Sequence, residues 1–264
     1  MVIEPKPSWV QIPSITAAEM AEVDRVMVED LGISLLQMME NAGRSLAQLA
    51  IEVFNPQKVL ILSGTGGNGG GGLVAARHLA NRGVGVEVVL TNPDALAPVS
   101  RHQFEILSKM NVAISDVPNP SDLIIDAVIG YSLKGDPSGR AEHLIDWANS
   151  SYLPILSLDN PSGLDVSSGV ESRSTIKATA TMTLALPKSG LVNSKFTGTL
   201  FLADISVPRK AYEALGILAP SIFAKNQIVE LATSGGNFYI TQSARKKNSL
   251  PIPTGQSKIL PSDN

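Results

Sequence analysis

Apolar positions change period along the chain, and the changes mark out its elements. Met20, Val23 and Met27 recur at helical spacing behind Thr16-Ala17-Ala18-Glu19, which has the form of a capping box. Leu35, Met39, Ala42, Leu46, Leu49 and Val53 continue at spacings of three and four behind Ser34. They predict a second amphipathic helix with its methionines as core filler. From residue 58 the pattern becomes one of short apolar runs. Those at 58–63, 84–90, 122–127, 154–158 and 180–186 predict buried strands, with helical segments near 70–82, 97–110 and 139–150. Strands joined through helices form right-handed βαβ units, so the expected class is α/β with helices on both faces of a mainly parallel sheet. Thr199 to Ala203 adds an expected edge strand, and Pro208 to Leu215 a short helix. Residues 1–13, with three prolines, are expected to form an extended arm. After residue 222 the pattern fades apart from a brief apolar island, Asn237-Phe238-Tyr239-Ile240. The expected division is a domain over 1–222 and a polar, disordered tail over 223–264.

Composition narrows the class. With 264 residues, 44% hydrophobic and 17% charged, the chain can bury a sizeable core without covalent staples. It has no cysteine, which excludes thiolate metal sites and a cysteine nucleophile and agrees with a reducing, cytoplasmic compartment. A net charge of −3 offers no general attraction to nucleic acid or anionic membrane. There is no apolar run of the ~18 residues that a membrane helix needs, and residues 1–13 lack the apolar core of a signal peptide.

The chemistry begins where the first strand meets Gly64-Thr65-Gly66-Gly67-Asn68-Gly69-Gly70-Gly71-Gly72. A strand, a glycine-rich turn and a helix N-terminus are the parts of an anion cradle. The turn satisfies G-x-G-x-x-G, but seven glycines in nine positions satisfy many patterns. Dinucleotide binding also requires an acid about 20 residues on, at the end of the second strand. Here that strand ends Val88-Val89-Leu90-Thr91-Asn92, with Glu87 inside it and Asp94 beyond it. No Lys-Ser/Thr follows the glycines, so a P-loop is excluded. The two leading helices also argue against an ordinary hydride-transferring dehydrogenase. A ligand-free turn is the plainer alternative, at the entropic cost of ordering many glycines. Two acids close later strands: Asp126 after Leu123-Ile124-Ile125, and Asp159 after Pro154-Ile155-Leu156-Ser157-Leu158. Open parallel sheets bind ligands beyond such ends. Singly, Asp126 can cap a loop and Asp159 can close a turn with Pro161. Together with the glycine turn they point to one cleft.

These residues fall in motifs. Met38-Met39-Glu40-Asn41-Ala42-Gly43-Arg44, Gly66 to Arg77, Asp126-Ala127-x-x-Gly130, Asp159-Asn160-Pro161-Ser162-Gly163-Leu164-Asp165 and Pro187-Lys188-x-Gly190-Leu191 follow one another in order. In this the chain resembles the NAD(P)H-hydrate epimerases, the YjeF N-terminal-domain family. The resemblance implies a Rossmann-like three-layer αβα sandwich preceded by two N-terminal helices. It also implies interconversion of the R and S forms of NADHX and NADPHX, so that a separate dehydratase can restore the cofactor. The chain beyond residue 222 is too short for a dehydratase domain of its own. The family's potassium ion carries over to Asn68, Asp126 and Ser162. Its substrate contacts carry over to Gly67, Asn68, Gly69, Gly70 and Gly71, to Gly130, Tyr131, Ser132, Leu133, Lys134, Gly135 and Asp136, and to Asp159. Asp159 is then the expected general base and acid, and Lys188 a candidate phosphate or carboxamide contact. Homodimers are common in the family, with the arm and first helices as the candidate interface. The chain departs from the family at Gly67 and Gly71, where Asn and Asp are usual, at Tyr131 and Ser132, and at Asn160. These departures keep open a second reading, a catalytically impaired member acting as a nucleotide-binding or scaffolding module.

Overall fold

The computed structural model describes residues 4–6 and 8–241. Its strands are β1 (Val10–Ile12), β2 (Lys58–Ser63), β3 (Gly85–Leu90), β4 (Ala113–Ile114), β5 (Leu123–Ala127), β6 (Ile155–Leu158), β7 (Ala180–Leu184), β8 (Thr199–Ala203), β9 (Ile228–Ser234) and β10 (Asn237–Ile240). Its α-helices are α1 (Ala17–Arg25), α2 (Leu35–Phe54), α3 (Gly67–Ala80), α4 (Pro98–Lys109), α5 (Gly139–Ser150) and α6 (Arg209–Glu213).

Both leading helices start at reciprocal caps. Glu19 N–H donates to Thr16 Oγ1 at 3.2 Å while Thr16 N–H donates to Glu19 Oε2 at 2.7 Å. Ser34 and Gln37 repeat the exchange at 3.4 and 2.8 Å. Each box satisfies donors that the first helical turn leaves without partners. Directly after α1, Val26–Asp30 widen into a π-helix. Along α2 the predicted stripe is buried from Met39 to Leu49, but Leu35 at its start is 45% exposed.

All ten strands form one sheet, ordered β1-β10-β9-β8-β7-β6-β5-β2-β3-β4. Pairing is parallel from β8 through β4 and antiparallel from β8 out to β1. Helices cover both faces of the parallel part. Leu46, Leu49, Leu73 and Leu79 of α2 and α3 pack on Ile61, Ile125, Leu156 and Met182, while Leu144 and Ile145 of α5 meet Leu60, Leu62 and Ile124 on the other face. Successive residues of the central strands therefore face opposite layers, and both sets are buried and mostly apolar, as buried parallel strands require.

Three expectations are corrected. β8 is not an edge strand, since β9 pairs with it from Leu200↔Leu231 to Ala203↔Ile228. Consequently the sheet does not stop at residue 222. The apolar island is β10, which pairs with β9 on one side and with the N-terminal arm, as β1, on the other. The rest of the expected tail, residues 242–264, lies outside the described residues. Finally, α3 begins at Gly67 and not near residue 70, so the glycines form its first turns.

Sequence direction reverses in the sheet between β2 and β5: the chain runs from β2 to β3 and β4 on one side, then returns to β5 on the other. Loops leaving the carboxyl ends of β2 and β5 diverge there and open a crevice.

Candidate active site

Gly64 N–H donates to Ala127 O at 3.0 Å, so the glycine turn leaves β2 in contact with the end of β5. A β-carbon on Gly64 would lie 1.9 Å from Val128 O, which explains why the turn starts with glycine. Gly66, in extended conformation, caps α3 without a side chain. Its carbonyl accepts from Gly70 N–H at 3.0 Å and Ser100 Oγ at 2.8 Å. The first N–H groups of α3, from Gly67 to Gly69, have no acceptor within the helix, and the positive end of its dipole sits there.

The predicted glycines divide into two kinds. Gly67 is exposed, with open space where a side chain would stand. Gly69, Gly70 and Gly71 are buried against the protein: β-carbons there would meet Gly64 O at 2.0 Å, Met39 Cε at 2.6 Å and Leu158 Cδ2 at 2.7 Å. Any contact they make to a ligand is through backbone.

Across the crevice, Asp126 is completely buried at the end of β5. Its Oδ1 accepts from Ser162 Oγ at 2.6 Å and Val128 N–H at 3.3 Å; its Oδ2 accepts from Ser157 Oγ at 2.8 Å and Ser162 N–H at 2.9 Å. Burial raises its carboxyl pKa, and the Ser162, Ser157 and Val128 bonds pull in the opposite direction. Asn68 sits on Gly130, just beyond the same strand: a β-carbon at Gly130 would lie 3.1 to 3.4 Å from its side chain. Its Nδ2 is buried without a partner. Asn160 donates through Nδ2 to Ile129 O at 3.3 Å and Pro161 O at 3.1 Å, and its Oδ1 is buried unpaired.

Asp159 follows β6 in the left-handed region, φ 68°, and is 4% exposed. Aspartate is among the few side chains that adopt that conformation readily, and the bonds around it hold it there. Its N–H donates to Met182 O at 2.8 Å, and Oδ1 receives Leu184 N–H at 3.4 Å, Thr183 Oγ1 at 3.5 Å and the ammonium of Lys188. Lys188, expected as a substrate contact on a loop, is instead 1% exposed and also donates to Leu184 O at 3.0 Å. A parallel backbone bridge ties Ile15, just after the N-terminal arm, to Lys188. Asp159 Oδ2 carries none of these bonds.

One pair was not foreseen from the sequence. Tyr131 donates through its hydroxyl to Asp24 Oδ2 on α1, at 2.6 Å. Burial raises the carboxyl of Asp24, against the Tyr131 hydrogen bond and the charge of Lys188, while the charge of Asp159 adds to the rise. Burial, then Asp24, push the Tyr131 hydroxyl far above its ordinary value. The sequence carries a signal for Asp24, an acid on the same helical face as Met20, Val23 and Met27. Of the remaining predicted contacts, Ser132, Lys134, Gly135 and Asp136 are exposed and Leu133 is half-buried. Two cavities of about 410 and 330 Å³ beside α6 include neither acid nor the glycine turn.

The chain matches the family model described as YjeF-related protein N-terminus over residues 35–190. It is 44% identical over 214 residues to a protein of Dehalogenimonas lykanthroporepellens named NAD(P)H-hydrate epimerase, covering 78% of this chain and 87% of that one. With the bifunctional NAD(P)H-hydrate repair enzyme Nnr of Moorella thermoacetica it shares 36% identity over 216 residues, 74% of this chain but 41% of the relative. Among solved structures, yeast ynu0, YNL200c, superposes with a TM-score of 0.72 at 26% identity, covering 83% of this chain and all of the other.

Proposed function

The chain belongs to the YjeF-related N-terminal family, and on that premise we propose that it is an NAD(P)H-hydrate epimerase acting on NADHX and NADPHX. The observation that carries this reading is the buried Asp159–Lys188 pair, which follows the carboxyl end of β6 at the same end of the parallel sheet as the glycine turn after β2. The carbon to be inverted bears a hydroxyl and the ring nitrogen. Asp159 Oδ2, the carboxylate oxygen that carries none of these bonds among the described residues, takes the hydroxyl proton. The carbon–nitrogen bond then breaks to an aldehyde, and Asp159 passes that proton to the released nitrogen. Rotation offers the other face of the carbonyl, the nitrogen re-adds as Asp159 takes its proton back, and the same proton returns to the new hydroxyl oxygen. Lys188 fixes the carboxylate through Oδ1 and supplies its counter-charge. N–H groups opening α3 suit the substrate's phosphates.

The donors around Asp126 fit a potassium ion. A fully buried carboxylate with no Lys, Arg or His bonded to it among the described residues, bonded to the Ser162 hydroxyl, with the Asn68 amide and its unpaired buried end packed at Gly130 beyond the same strand, suits one positive charge with oxygen ligands. Rotation of the Asn68 amide would bring its oxygen to that buried end. Bound there, potassium would help fix the substrate's charged groups. The missing side chains at Gly67 and Gly71 leave the catalytic pair intact, which favours an enzyme over a scaffolding module. The bifunctional relatives support a partnership with a separate dehydratase. The exposed Leu35 and Leu36 support a homodimer, and the absence of cysteine a cytoplasmic setting. Among the described residues no helix is long and apolar enough to cross a membrane.

The test follows purified R-NADHX with a coupled dehydratase. Wild type should exceed the spontaneous rate, and Asp159→Ala should fall to it. A wild-type rate at background would overturn the reading.

A further inference from the structure

We infer that Asp24 is a positioning residue for this reaction, acting through Tyr131 on the loop of residues 130–136. The inference rests on the proposed substrate role of that loop. Two side-chain bonds tie its far segment to the body. Tyr131 reaches Asp24 Oδ2 at 2.6 Å, across 107 positions of sequence, and Asp136 Oδ1 accepts from Arg173 N–H at 3.3 Å. The two anchors differ in kind. Asp136 is exposed and its bond is long, whereas the Tyr131 ring is half-buried against the cluster of Met20, Val23 and Met27. A short hydrogen bond to a carboxylate, shielded by that cluster, is the stronger hold. Between the anchors, Ser132, Lys134 and Gly135 are exposed, and Gly135 adopts a φ of 68° that favours glycine.

The location of Asp24 argues for more than a fold contact. It lies one residue before the end of α1, where the helix passes into the five-residue π-helix Val26–Asp30. Widened turns of this kind re-aim side chains and recur at functional sites. The charges of Lys188 and Asp159 also reach Asp24, which places it in the electrostatic surroundings of the proposed catalytic pair. Lys188 uses two of its three N–H donors on Asp159 and Leu184. Asp24 thus joins the loop, the first helix and the surroundings of the Asp159–Lys188 pair. Its effect should appear in how well substrate is held, because Asp159 is left to carry the proton transfer.

Tyr131→Phe keeps the ring and removes the donor. In the R-NADHX assay it should raise KM about tenfold and leave kcat within about twofold, the scale of a lost hydrogen bond to a charged group. Asp24→Ala should do the same. Asp24→Asn keeps a carbonyl acceptor and should recover part of the loss. On the same full-length proteins, amide exchange over residues 130–136 should accelerate about tenfold in Tyr131→Phe. An unchanged KM, a loss confined to kcat, or unchanged exchange in the loop would each overturn the inference. If wild type shows no turnover above background, the epimerase reading falls, and the exchange rates alone decide whether Asp24 clamps the loop.

Discussion

An added methyl group has opposite consequences at two positions in the first turn of α3. At Gly69 it would lie 2.0 Å from the carbonyl oxygen and 2.6 Å from the carbonyl carbon of Gly64, atoms that the strand end holds in place. At Gly67 it would meet nothing within 4 Å. Gly69→Ala should therefore destabilise by about 2–3 kcal/mol through overpacking. Gly67→Ala should stabilise by up to about 1 kcal/mol, the helical preference of alanine over glycine. Urea unfolding of the two variants checks both, and equal effects would mean that the turn yields. At Gly71 only the tip of Leu158 stands in the way, so a β-carbon fits there once that tip rotates. The strand-end acids were legible from sequence, because a carboxylate closing an apolar run has a fixed address in a parallel sheet. The internal burial of Lys188 and the Tyr131–Asp24 bond were not. Each depends on what a distant segment brings against it, and neither periodicity nor spacing carries that.

Elements were readable in proportion to how strongly one physical rule governed them. Caps and stripes located α1 and α2, and short, mostly apolar runs located the central strands, because burial on both faces leaves little regular polar alternation. The start of α3 was hidden, since glycines have no side chains to show a helical period. β9 and β10 were missed for another reason. Ile228 to Ser234 alternates between buried and half-buried residues, with Glu230 and Thr233 among them, as an antiparallel strand with one open face does. Their structural weight is testable. A chain ending at Ile222 would leave the whole edge of β8 unpaired and remove the partner of β1. Such an edge templates association between copies. The truncated protein should aggregate or elute as large oligomers in size-exclusion chromatography; a well-behaved product with the full-length melting temperature would contradict the observed pairing.

For the molecule as a whole, stability should depend on pH in a direction set by its buried acids. Burial raises the carboxyls of Asp126 and Asp24 above the ordinary value of 3.8. A raised folded value favours the protonated form in the native state. The stability tied to these groups is therefore complete below that ordinary value and is lost as pH rises through the elevated folded values. Potassium at Asp126 would offset its part of that loss. Melting temperatures recorded across this range in potassium and in choline chloride should diverge as pH rises. Curves that stay parallel would remove potassium from the site. The sheet's outer edge has a different consequence, for the order of folding. Val10 pairs with Ile240, so β1 completes its hydrogen bonds only with a strand that follows it in the chain after all the others. Until then the amino-terminal strand is a loose end, and the finished sheet closes the described chain into a near-ring. Joining residues 10 and 240 through a short linker and opening the chain elsewhere, as in a circular permutant, would preserve every strand neighbour while making β10 and β1 consecutive in the chain.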